Sequence, residues 1–106
     1  MKEYQKSLNG VEYNIVEIYE NESNVSEYQD KYEYCTIKKF ENNYCYKQLV
    51  FHNGKLHNEF GPAIKFKRKA SWWLNNIKYF SLFSDIDGMS EYQNELRRIR
   101  LELLLK

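Results

Sequence analysis

Asn9-Gly10 and Asn53-Gly54 each stand between runs of β-forming residues, and nothing else in the chain constrains its fold so tightly. A two-residue hairpin loop of type I′ needs positive φ at both central positions, which Asn and Gly adopt at least cost. Asn75-Asn76 is a third such turn, between Ser71-Trp72-Trp73-Leu74 and Ile77-Lys78-Tyr79-Phe80. Glu41-Asn42-Asn43 separates two more β-rich runs, Tyr32–Phe40 and Tyr44–Phe51. A chain punctuated in this way reads as a series of antiparallel hairpins. Aromatic content agrees: ten Tyr, six Phe and two Trp make up 17% of the chain, and large flat side chains pack well on a pleated surface. With 106 residues, the chain is one domain long and can bury one core.

The run Val11–Tyr19 alternates at Val11, Tyr13 and Ile15, but Val16 and Ile18 break the pattern. That strand is therefore expected to be buried on both faces, or bulged. Residues 20–30 are polar and read as a loop, with Ser26 as the cap of a short helical turn. Gly61-Pro62 interrupts the ladder, Ala63–Lys67 alternates apolar and basic residues, and Arg68-Lys69-Ala70 is expected to turn the chain. After a loop at Asp85-Ile86-Asp87-Gly88, Ser90 and Gln93 form a capping-box signature. Tyr92, Leu96, Ile99 and Leu103 then recur at helical spacing, with Glu91 and Glu95 early and Arg97, Arg98, Arg100 and Lys106 later. The expected fold is α+β: an antiparallel β-hairpin meander sheet over 1–83 and one C-terminal helix over 89–105, in a single domain 1–106. Leu101, Leu104 and Leu105 widen the apolar side of that helix beyond what one sheet face covers, which points to a homodimer contact through it.

Several chemistries are excluded or disfavoured. The chain carries no nucleophile elbow, zinc-protease helix motif, Walker loop or dinucleotide fingerprint. Cys35 and Cys45, with His52 and His57, are poorly spaced for zinc and are expected to stay reduced thiols. No enzyme, metal or cofactor is expected. Neither an apolar run of spanning length nor a basic-then-apolar leader is present, so the expectation is a cytoplasmic protein with no membrane partner. The net charge of +1 is unevenly spread, with eight acids against three lysines in residues 1–35 and nine bases against two acids in 36–80. The two halves can pair across a sheet, or offer a partner one acidic and one basic face.

The stretch from Lys65 to Trp73 is the candidate binding site, through Lys65, Lys67, Arg68, Lys69 and Trp72. Bases interleaved with aromatics suit single-stranded nucleic acid, whose phosphates meet the cations while its bases stack on rings. The same pattern also describes a strand with Ile64 and Phe66 inward and its lysines in water. His52 and His57 flank the Asn53-Gly54 turn, and the structural reading is that His57 bonds a neighbouring carbonyl and seats the Gly61-Pro62 turn.

Leu8-Asn9-Gly10-Val11-Glu12-Tyr13 matches Leu74-Asn75-Asn76-Ile77-Lys78-Tyr79, with a looser copy at Phe51–His57. Asn53 to Asn75 is 22 residues and Asn9 to Asn53 twice that, a period suited to stacked hairpins. Within 51–80, Asn53-Gly54-Lys55-Leu56-His57, Gly61-Pro62-Ala63 and Trp72-Trp73-Leu74-Asn75-Asn76 resemble the MORN-like hairpin repeats of bacteriophage and giant-virus proteins. Asn58, Phe60 and Asn76 depart from that pattern. The resemblance implies a β-hairpin stack, a phage- or virus-type origin and no catalytic residues. The resulting expectation is a small accessory protein that binds a host or viral protein complex, inhibiting a host enzyme or defence complex. The alternative is a single-stranded nucleic-acid-binding protein using 65–73.

Overall fold

Four two-residue turns have positive φ at both central positions: Asn9 and Gly10 (53° and 81°), Asn42 and Asn43 (51° and 61°), Asn53 and Gly54 (50° and 79°), and Asn75 and Asn76 (50° and 67°). Each closes an antiparallel hairpin, because the twist of this turn matches that of the strands it joins. The computed structural model describes residues 2–19, 28–81 and 88–105. In chain order the strands are β1 (Lys2–Leu8), β2 (Val11–Ile18), β3 (Tyr34–Glu41), β4 (Tyr44–His52), β5 (Lys55–Leu56), β6 (Ile64–Phe66), β7 (Lys69–Leu74) and β8 (Ile77–Ser81), followed by helix α1 (Gly88–Leu104). They form one open sheet in the order β1-β2-β3-β4-β6-β7-β8, with β5 paired to β4 beyond β6. The architecture is α+β, mostly antiparallel, with a single C-terminal helix.

One pairing departs from the expected meander. β2 and β3 are parallel, with Asn14 opposite Cys35 and Ile18 opposite Lys39. A parallel neighbour needs a long connection, and residues 19–33 are long enough to supply it. Residues 20–27, including Ser26, and residues 82–87 lie outside the described residues.

β2 is buried on both faces, as its broken alternation requires. On one face Val16 and Ile18 join Cys35, Ile37, Leu49 and Phe51, with Tyr28 and Tyr32 packed over them. The Tyr32 hydroxyl donates to Glu3 (3.0 Å) and Lys31 pairs with the same carboxylate (3.8 Å), which pins that cover to β1. On the other face Tyr13 and Ile15 meet Val50, Tyr4, Val11 and Tyr34. The third core lies under α1, where Tyr92 and Leu96 bury Leu74 against Trp72, Tyr79 and Ile99. The helix begins at Gly88, so Ser90 lies inside its first turn and is not its cap. Arg97, Arg98 and Arg100 stop short of the last turn, which holds no base. Lys69 and Ala70 belong to β7, and the turn before it is Lys67-Arg68. The difference arises because Lys67 itself takes a positive φ of 54° and starts the reversal one residue early.

The hairpins at Asn53 and Asn75 lie against each other. The Asn76 N–H donates to the Leu56 carbonyl (2.9 Å), the Leu56 N–H to the Asn76 side chain (2.7 Å) and the Asn58 N–H to the Trp73 carbonyl (3.1 Å). The Asn9-Gly10 hairpin stands at the opposite edge of the sheet.

Candidate nucleic-acid interface

The β3–β4 and β6–β7 turns lie at the same end of the sheet, and the register there aligns cations that are distant in sequence. Lys39 pairs with Lys47, Lys47 with Phe66 and Phe66 with Lys69. Cross-strand partners share a face, so this row carries three lysines and an aromatic ring on one side of β3-β4-β6-β7. Two lysines directly opposite each other repel, yet no ion pair relieves Lys39, Lys47, Lys65, Lys67, Arg68 or Lys69 among the described residues. Glu41, two residues beyond Lys39 on β3, lies opposite Tyr44.

The ring at the centre of the row is Phe66. Lys47 Nζ lies 5.7 Å and Lys67 Nζ 5.5 Å from its centroid, within cation–π range. Tyr46 meets it edge-on at 6.2 Å. Tyr44, at the β3–β4 turn, is 63% exposed and Phe66 is 37% exposed. The Lys67 N–H donates to the Tyr46 carbonyl (3.0 Å), tying the β6–β7 turn to β4. Among non-glycine residues a left-handed φ is the preserve of Asn and Asp, so a lysine at 54° is held there against its preference. Strain of this kind concentrates at functional positions.

Of the residues singled out in the sequence, Lys65, Lys67, Arg68 and Lys69 are all exposed around this turn. Lys65 points to the opposite face from the row, opposite Gln48. Trp72 is not with them. It packs under α1 and meets Phe80 edge-on at 4.9 Å. Lys39, Lys47, Tyr44 and Phe66 take its place, and only the strand register brings them in.

The remaining reactive groups are committed elsewhere. His57 is 4% exposed. Its Nδ1 accepts the Asn75 N–H (3.1 Å) and its Nε2 faces Glu59 (2.9 Å), so the proton lies on Nε2. The histidine therefore joins the Asn75 turn to the segment before Gly61-Pro62, through an amide and a carboxylate and not through a carbonyl. His52 stacks on Tyr34 at 4.3 Å, and burial, with His57 beside it, lowers its pKa. Cys35 and Cys45 are both free, and burial pushes the Cys35 thiol up to about 11. A thiol held there is a poor nucleophile at neutral pH. Among the described residues no three His, Cys, Asp or Glu side chains gather as a metal site, and no helix is long and apolar enough to cross a membrane. Comparison with protein-family models, curated proteins and solved structures finds no match to this chain.

Proposed function

We propose that the protein is a binding module that holds single-stranded nucleic acid on the turn end of its sheet. The observation that supports this reading is the row Lys39–Lys47–Phe66–Lys69. It sets like charges side by side around an accessible ring, and a phosphate backbone with stacking bases would relieve that repulsion. Tyr44 extends the stacking surface, while Lys65, Lys67 and Arg68 extend the cationic one.

Fluorescence anisotropy of a labelled 15-nucleotide oligothymidylate against salt tests this. Each phosphate neutralised on a single strand contributes about −0.7 to the slope of log K against log salt. Lys67→Glu with Arg68→Glu should weaken binding by about tenfold or more and flatten that slope by roughly 1.4. Tight binding with no salt dependence, or an unchanged slope in the double variant, would contradict the reading.

A second surface supports a protein contact. Leu101, Leu103, Leu104 and Leu105 are 60%, 61%, 80% and 87% exposed at the end of α1. A homodimer through this helix end is our reading of it. In the accessory role implied by the hairpin resemblance, restraint of a host enzyme or defence complex in the cytoplasm, that apolar end would meet the partner in place of a second copy.

A further inference from the structure

We propose that a cleft on the face opposite the lysine row receives one nucleotide of the bound strand, ring first. This rests on the nucleic-acid reading above and extends it from a phosphate-binding surface to a base-binding pocket.

The cleft measures about 280 Å³ and lies over β1–β4. Its floor is Ile15 and Val50, 2% and 4% exposed, with Tyr13 and Thr36 beside them. Two lysines, Lys6 and Lys38, line it, and no carboxylate does. An apolar floor with Lys6 and Lys38 beside it, Lys38 being shared with Glu17 across β2–β3, suits a ligand that is flat and apolar at one end and anionic at the other. At roughly 30 Å³ per water volume, the space equals about nine waters, enough for one base and part of its sugar.

The wall is built to present a ring. Phe60 lines the cleft and remains 52% exposed. Its segment is braced, because Asn58 Nδ2 donates to the Pro62 carbonyl (3.0 Å) while Asn58 Oδ1 accepts the Phe60 N–H (3.0 Å). The Tyr92 hydroxyl donates to the Asn58 carbonyl (2.6 Å), fixing the same segment to α1. An aromatic held open on a braced loop over an apolar floor is a stacking wall, and single-stranded recognition uses such walls to sandwich unstacked bases. The Gln48 amide also lines the cleft and has no hydrogen-bond partner among the described residues. It can both donate to and accept from a base edge.

The strand could reach the cleft directly. Lys38 pairs with Gln48 and Gln48 with Lys65, so the cleft's rim runs on into the basic β6–β7 hairpin. Lys65 lies two strands from Lys38, about 10 Å away. A backbone held at Lys67 and Lys65 thus arrives beside the cleft with its bases free.

The test is a set of NMR titrations on the full chain at constant ionic strength. Thymidine and adenosine 5′-monophosphates should shift the methyl resonances of Ile15, Thr36 and Val50 saturably, whereas ribose 5-phosphate should not. Phe60→Ala and Gln48→Ala should each weaken that binding by about fivefold or more. Anisotropy of oligothymidylate and of its abasic counterpart supplies the second arm, and wild type should favour the base-bearing strand. Equal binding of both strands, unaffected by Phe60→Ala but lost in the Lys67/Arg68 double variant, would overturn the pocket and leave the basic end standing. Nucleotide shifts in the cleft without any binding of oligonucleotide would overturn the strand reading and the proposal together. Stronger saturation of the cleft by benzoate than by any nucleotide would assign it to a free aromatic acid instead.

Discussion

Lys67 brings the tension between folding and binding down to one residue. Its φ of 54° costs an L-residue about 1 kcal/mol that glycine would not incur. Glycine in turn loses more chain entropy on folding, by about 0.5–1 kcal/mol. Lys67→Gly should therefore leave unfolding free energy unchanged or raised by up to about 1 kcal/mol, while weakening oligonucleotide binding about threefold through the lost cation. Lys67→Val, β-branched at the same φ, should destabilise by about 1–3 kcal/mol. Urea titration of both variants beside the anisotropy assay checks the pair. A glycine variant that is both less stable and unchanged in binding would show that Lys67 serves the fold. At this scale the sequence was legible wherever one residue type has one conformational role. Asn at each turn is such a case. His57 was legible as structural, but its partners were not: Glu59 is a local neighbour that no motif marks, and Asn75 reaches it only after β5 and β7 have met. Lys67 carried no signal, because nothing in a lysine announces a left-handed backbone.

At the scale of elements, hairpins and helix could be read and their neighbours only in part. The four hairpins that turn at Asn are encoded locally, by the turn residues and the β-forming runs beside them, whereas the β6–β7 hairpin at Lys67 is not. The parallel meeting of β2 and β3 depends on a crossover through 19–33 that no local pattern specifies. The row across β3, β4, β6 and β7 was invisible for the same reason: Lys39, Lys47 and Lys69 become neighbours only once registers are set. The capping box at Ser90 misled, because the helix starts two residues earlier at a position chosen by packing. Gly88 sits where an added Cβ would run into the Tyr79 carbonyl and come within 3.3 Å of the Phe80 Cα. Helix propensity alone predicts that Gly88→Ala stabilises by roughly 1 kcal/mol. The opposing atoms are backbone of β8 and cannot rotate away, so the clash should win, with a net loss of about 1–3 kcal/mol. Denaturant unfolding measures the sign. Hydrogen exchange should also speed up at Leu74 and in the first turn of α1. A stabilised variant would mean that the helix start yields freely and does not anchor on β8.

Over the whole molecule, charge and apolar surface are sorted to different places. The cations gather where β3–β4 and β6–β7 turn, and Glu17, held below the usual carboxylate range by the Tyr19 and Tyr4 hydroxyls, faces Lys38 across β2–β3. Four exposed leucines gather at the end of α1, and their arrangement argues for a second copy of the chain. Tyr92, Leu96 and Ile99 form the stripe that packs on the sheet, and Leu103 continues that stripe beyond it. At 100° per residue, Leu101, Leu104 and Leu105 lie well away from that stripe, so no rotation of α1 on its own sheet could cover all four. Two such ends packed together would cover them at once, with a self-complementary contact of the kind two-fold dimers use. Sedimentation at tens of micromolar should then show a dimer, and Leu104→Glu with Leu105→Glu a monomer. Because those side chains are not in the monomer's core, the variant should keep its sheet and its salt-dependent oligonucleotide binding, while wild type alone gains thermal stability with concentration. A wild type that stays monomeric across that range, melting at one temperature at every concentration, would leave these leucines to a different protein partner.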